Sequence, residues 1–236
     1  MSGGDRPTGT LTLFFSDMEG STRLARALGD AWPALLARHR DLLREVVETE
    51  GGTVVDCQGD SMFAVFRSAA AGVRAASEAQ RRMAAEPWPD RVAVRVRIGV
   101  HTGEPAQTVD GGYAGVDVSH AARLCAAGHG GQVLMSESAR LVSGADTISL
   151  GTASLPDIEP AAVVHQLVGD GLGREFPPLR TNARPPTADP AADRGDAEAR
   201  IDRAAEAFEQ RVTEHIADAV ERAFQWSPGK TPPRDG

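Results

Sequence analysis

Apolar and polar positions along the chain divide it into short β-rich runs separated by helical stretches. Residues 10–16 (TLTLFFS) form a continuous apolar run ending at Asp17, which predicts a buried strand. The EGST turn that follows opens into helical sequence. Trp32, Leu35, Leu36, Leu42, Leu43, Val46 and Val47 recur at helical spacing, and Gly51-Gly52 supplies a stop. TVVDC (53–57) and MFAVF (62–66) read as two strands joined by a tight connection with Asp60 at its tip. Residues 68–84 predict an Ala-rich helix closed by PWPD, and VAVRVRIGVH (92–101) alternates as a half-solvated strand does.

After a polar loop (102–112), VDVSHAARLCAAG predicts a helix ended by Gly128, GGQVLMS a strand and residues 136–142 a short helix. Residues 145–150 and 162–168 predict closing strands. The mixture, with a hairpin in it, implies an α+β fold in which helices cover one face of a mostly antiparallel sheet. Beyond about residue 170 the character changes. Residues 171–195 are rich in Pro, Ala and charge and read as a linker. Residues 196–226 carry Ile201, Ala205, Phe208, Val212, Ile216, Val220 and Phe224 at three- and four-residue steps, an amphipathic helix. That face must be buried on its own domain or against a dimer mate or partner, and self-association is the preferred reading. Residues 1–8 are expected to be a flexible N-terminus and 227–236 a disordered tail.

Composition changes the picture little. The 236 residues are long enough for one well-buried domain with appendages, and 41% hydrophobic content is ordinary. A formal net charge of −8 excludes a basic footprint for direct nucleic-acid binding. It does not exclude a nucleotide substrate, because a bound divalent cation supplies positive charge locally. No apolar run approaches a membrane span and no signal pattern opens the chain, so a cytoplasmic protein is expected. Cys57 and Cys125 read as free packing thiols. The six histidines (39, 101, 120, 129, 165 and 215) lack metal-ligand spacing. His101 is expected to make a structural hydrogen bond, and for His120, next to Ser119, a site-facing orientation is only the second reading.

Two features carry chemistry of their own. Asp17 ends a strand directly before a Gly-Ser-Thr turn into a helix, where backbone N–H groups suit phosphate oxygens and a carboxylate can hold Mg²⁺ against them. Asp60 is presented at a hairpin tip, and if that hairpin lies beside the first strand the two carboxylates converge. Taken singly, Asp17 reads first as a helix N-cap and Asp60 as a turn-former.

The surrounding motifs give the pair its force. LTLFFSDMEGSTRLARALGD, GGTVVDCQGDSMFAVF, VRIGVHTGEP and GGYAGVDVSHAARLCAAGHGGQVLMSESA occur in this order, followed by LGTASLPDIEPAAVVHQLV and FPPLRT. Over roughly residues 9–181 they resemble bacterial class III adenylate/guanylate cyclase domains of the kind joined to ATPase regions. The resemblance implies a ferredoxin-like nucleotidyl cyclase fold over residues 9–170, acting as a head-to-tail homodimer with sites at the interface. It implies conversion of ATP, with GTP as the second choice, to a 3′,5′-cyclic nucleotide and pyrophosphate with two Mg²⁺ or Mn²⁺ ions. Asp17 and Asp60 match the metal aspartates, and Met18, Glu19, Gly20, Ser21 and Thr22 match the triphosphate-cradling loop. Arg123 matches the transition-state arginine.

Other positions depart from the family pattern. Asp56 stands where a purine-reading Lys is usual, Ser119 replaces the transition-state Asn, and Pro156 replaces a triphosphate-closing Lys. The base-reading position on the arm falls at Gly112, with Asp117 near it. These departures support an alternative reading: a catalytically impaired cyclase homology module that binds nucleotide or dimerises and regulates a partner, with the C-terminal helix as a possible contact.

Overall fold

The computed structural model describes residues 6–89, 92–109 and 111–181. The rest of the expected linker, the helix at 196–226 and the tail at 227–236 lie outside the described residues, as do residues 1–5 of the N-terminus. Nine strands are described: β1 (Leu11–Met18), β2 (Thr53–Gln58), β3 (Ser61–Phe66), β4 (Val96–Gly103), β5 (Ala106–Gln107), β6 (Tyr113–Ala114), β7 (Val133–Ser136), β8 (Thr147–Leu155) and β9 (Ile158–Leu167). The α-helices are α1 (Ser21–Leu28), α2 (Trp32–Thr49), α3 (Ala69–Ala85), α4 (Val116–Ala127) and α5 (Glu137–Ser143). Seven strands form one sheet in the order β2-β3-β1-β4-β7-β9-β8, and β5 and β6 make a separate small ribbon. Within the large sheet only β4 and β7 run parallel.

β1 holds the centre because its apolar residues are buried on both faces. On one face Phe14 and Met18 meet Ile98 and Val100 of β4 and the buried stripe Leu35, Leu42, Leu43, Val46 and Val47 of α2. The Ala-rich face of α3 joins this core through Ala75, Ala76 and Ala79, and Ser68 caps that helix by accepting a hydrogen bond from Ala71 N–H at 3.3 Å. The expected α+β fold is therefore present, with α2 and α3 covering one face. One helix departs from the single-faced layout: α4 lies on the opposite face. Gly99 makes this possible, since a Cβ there would come within 2.4 Å of Cys125 N and 2.5 Å of Ala121 O. Leu124 and Ala127 of α4 then pack with Leu134 and Val164 in a second cluster.

Three boundaries differ from expectation. β1 runs through Asp17 to Met18, so the aspartate is part of the strand. β4 begins at Val96, four residues later than the alternation suggests. β8 and β9 form a long hairpin over 147–167 around Pro156 and Asp157. Glycine, prolines and two register shifts interrupt its periodicity, which hides its length in the sequence. Among the described residues no helix is long and apolar enough to cross a membrane.

Candidate active site

Strand register assembles the site. On β1, Asp17 lies directly opposite Arg97 of β4, and the Ser16–Met62 pair sets Ser61 of β3 beside it. Alternation places Asp17, Arg97 and Ser61 on the face occupied by α4, away from the α2–α3 core. Arg97 donates from Nε (2.9 Å) and Nη2 (2.5 Å) to Asp17 Oδ2, and Ser61 Oγ donates to Asp17 Oδ1 at 2.9 Å. Arg97 Nη1 also donates to the Ala126 carbonyl at 3.0 Å, tying the end of α4 to this corner.

Asp60 follows Gly59, whose φ of +54° suits the tight β2–β3 turn. Burial raises the Asp60 carboxyl above the ordinary carboxylate range, and the charge of Asp17 pushes it further. A hydrogen bond with Ser21 and the charge of Arg97 oppose the shift. The two carboxylates thus feel each other, and their repulsion favours a cation between them.

The loop Met18 to Thr22 borders this pair. Met18 is anchored in the core, Glu19 N–H donates to the Arg95 carbonyl at 2.9 Å, and Gly20 adopts φ +69°. Ser21 and Thr22 begin α1, which has no side-chain cap, so its first turn presents backbone N–H groups of the kind that receive phosphate. The Glu19 carboxylate is partly buried, which resists ionisation. The hydrogen bond and charge of Arg180, with help from the Gly130 backbone, outweigh that and hold it below the usual range.

Asp56, Asp117 and Arg123 engage partners other than the Asp17 ion pair. Asp56 sits opposite Phe63 in the β2–β3 register, and its Oδ1 accepts from Cys57 N–H at 2.8 Å. Asp117, in the first turn of α4, accepts from Glu104 N–H at 2.9 Å and lies 2.8 Å from His101 Nε2, packed where Gly103 leaves room. His101 thus makes a structural hydrogen bond, and His120 stacks on it with ring centroids 4.3 Å apart. Ser119 lies one turn before Arg123 on α4. Arg123, only 14% exposed, gives Nη2 to Asp157 Oδ2 at 2.6 Å, across to the β8–β9 turn. Asp157 neighbours Pro156, the residue in place of the expected Lys, and is the described non-glycine residue with positive φ (58°).

Sequence reasoning missed Arg97, Ser61 and Arg180. Arg97 looks like a solvent-face residue of an alternating strand; only the pairing of β1 with β4 shows that it faces a carboxylate. Ser61 differs from other turn serines only through its neighbour on β1.

Among the described residues, no group of three or more His, Cys, Asp or Glu side chains is placed to hold an ion. Two carboxylates beside a phosphate-type loop nevertheless suit Mg²⁺ or Mn²⁺, which often completes its shell with water and substrate phosphates.

Comparison with known proteins agrees with this architecture. The profile of the adenylate and guanylate cyclase catalytic domain matches residues 5–150. An uncharacterized protein of Mycobacterium tuberculosis is 34% identical over 190 residues, covering 77% of this chain and 64% of the relative. The chain therefore spans under two thirds of that relative. An adenylate cyclase of Lachancea kluyveri is 27% identical over 154 residues, covering 55% of this chain and 8% of that protein. Among solved structures, an adenylate cyclase from Trypanosoma brucei, described in its monomeric state, superposes with a TM-score of 0.69. It is 25% identical and covers 77% of this chain and 97% of its own. The fold is that of a class III cyclase catalytic domain. The chain belongs to the adenylate and guanylate cyclase catalytic domain family.

Proposed function

We propose that this domain is a metal-dependent nucleotidyl cyclase, converting ATP, with GTP as the second choice, to the 3′,5′-cyclic nucleotide and pyrophosphate. The observation that carries the reading is the Asp17–Asp60 pair beside an uncapped helix start, with Arg97 bonded to one of the two carboxylates. Asp17 and Asp60 would hold the ions, which supply positive charge to the triphosphate and acidify the ribose 3′-hydroxyl.

The chain's own residues do the rest. The backbone of the loop from Met18 to Thr22 receives phosphate oxygens, and Ser21, through Asp60, sets loop and carboxylate in register. Arg97 keeps one Asp17 oxygen engaged, and Ser61 orients the other. As O3′, its proton passing to solvent water, bonds to the α-phosphorus and the bond to pyrophosphate breaks, charge builds on the phosphoryl oxygens, where a guanidinium is most effective. Arg123 is the residue for that role. Within one chain Arg123 is engaged by Asp157, and in the proposed shared site it leaves that partner to meet the carboxylates of a second subunit. Ser119, Asp56 and Asp117 are assigned to ribose and base contacts in the same shared site.

Incubating purified protein with ATP or GTP and Mn²⁺, with product separated by chromatography, tests the proposal. The expected result is a cyclic nucleotide from wild type and none from Asp17→Ala. No product from either substrate favours the regulatory-module reading, which the Asp157–Arg123 pair and Pro156 support.

A further inference from the structure

After β9 the chain does not leave the domain at once. Gln166 Nε2 donates to the carbonyls of Gly173 (3.4 Å) and Arg174 (2.9 Å), and the His129 ring nitrogen Nε2 lies 2.9 Å from the Pro178 carbonyl. Leu179 packs against the cluster of Leu124, Ala127 and Leu134. Arg180 N–H then donates to the Ala127 carbonyl at 2.9 Å, at the end of α4. The segment is fastened along its length, and its last fastening is the ion pair of the Arg180 guanidinium with Glu19.

Glu19 is well placed to transmit that contact. It lies between core-anchored Met18 and Gly20, whose carbonyl accepts from Arg23 N–H (2.9 Å) and Leu24 N–H (3.1 Å) to start α1. Its carboxylate rests against Gly130, where a Cβ would come within 2.6 Å of Oε2. The Glu19 side chain is therefore held by a glycine-lined seat, and Arg180 closes the seat. Ala126 and Ala127, adjacent in α4, receive Arg97 and Arg180 respectively, so one helix end braces both the Asp17 ion pair and the loop.

We propose that Arg180, in the exit segment, is a positioning residue for the phosphate loop, acting through Glu19 to fix the backbone that receives the triphosphate. The proposal rests on the reading of residues 18–22 as a triphosphate loop. Arg180 is 36% exposed in its side chain, so its replacement removes a latch and not a core group. A pair of this exposure governs effects of about fivefold.

The test uses the full chain with Arg180→Ala, Arg180→Lys, Glu19→Gln and the Arg180→Ala/Glu19→Gln double variant. Hydrogen exchange on the nucleotide-free protein reads the loop directly. The peptide covering residues 18–28 should exchange about fivefold faster in Arg180→Ala. Peptides of β1 and β7 should be unchanged, and Arg180→Lys should restore part of the protection. Binding of an unreactive ATP analogue with Mn²⁺ should weaken by a similar factor, with kcat less affected than KM. The double variant should be no worse than either single one. Unchanged exchange at 18–28 in both Arg180→Ala and Glu19→Gln overturns the proposal, as does additive loss in the double variant. If wild type makes no cyclic nucleotide and binds no analogue, the cyclase reading fails, while the exchange result still decides whether the latch exists.

Discussion

Arg97 places both Nε and Nη2 on a single oxygen of Asp17, Oδ2, and Ser61 takes the other. The carboxylate is thereby held through both of its oxygens near the end of β1. Replacing Arg97 by Ala should leave Asp17 held by Ser61 alone and remove the nearest guanidinium, lowering cyclase activity by about 10²-fold. Arg97→Lys should recover only part of this, because an ammonium cannot reproduce the fork. Initial rates at saturating ATP and Mn²⁺ measure it.

The pairing of Arg123 with Asp157 has the opposite consequence. Asp157 is 73% exposed, so its hold on Arg123 is weak and screened by solvent. If Arg123 must leave it to meet substrate, Asp157→Ala should raise kcat by up to about fivefold. The wild type should approach the variant as salt is increased. Rates of both proteins at low and high ionic strength provide the check.

His39 predicts a pH dependence of stability. Burial pushes its imidazole down to about 4, against the pull of the Asp17 charge, and neither ring nitrogen has a hydrogen-bond partner among the described residues. In the unfolded chain a histidine titrates near ~6.5. Between those values the unfolded chain binds a proton that the folded one refuses, so stability falls as pH drops from about 6.5 towards 4. The loss approaches about 3 kcal/mol at the lower end. His39→Leu, among Leu35, Leu42 and Leu43, should flatten this part of the curve and hold or raise stability at pH 7, since it removes two buried nitrogens without partners. Part of the slope should survive, because burial and the charge of His101 lower His120 to about 4 as well. Denaturant midpoints of the two proteins from pH 7 to 4.5 give the comparison.

The elements with clean periodicity were legible in the sequence. The α2 stripe, the α3 alanines and the β2–β3 hairpin with Asp60 at its turn all follow from local pattern. Asp17 and Asp60 could be singled out because a strand end and a hairpin tip are local features. Arg97 could not, since its role depends on a strand about eighty residues from Asp17 pairing in one register. The placement of α4 behind the sheet was also hidden, because it rests on the missing side chain of Gly99. The β8–β9 hairpin reads as two fragments because Gly151, Pro156 and Pro160 interrupt its alternation.

The most direct test of a cyclase site shared between two chains is complementation. Asp60→Ala and Arg123→Ala proteins, each inactive alone, are mixed and assayed for cyclic nucleotide from ATP and Mn²⁺. Random pairing puts one intact site in half of the dimers, so the mixture should recover about one quarter of wild-type activity. A mixture as inactive as its components, beside an active wild type, would contradict the account.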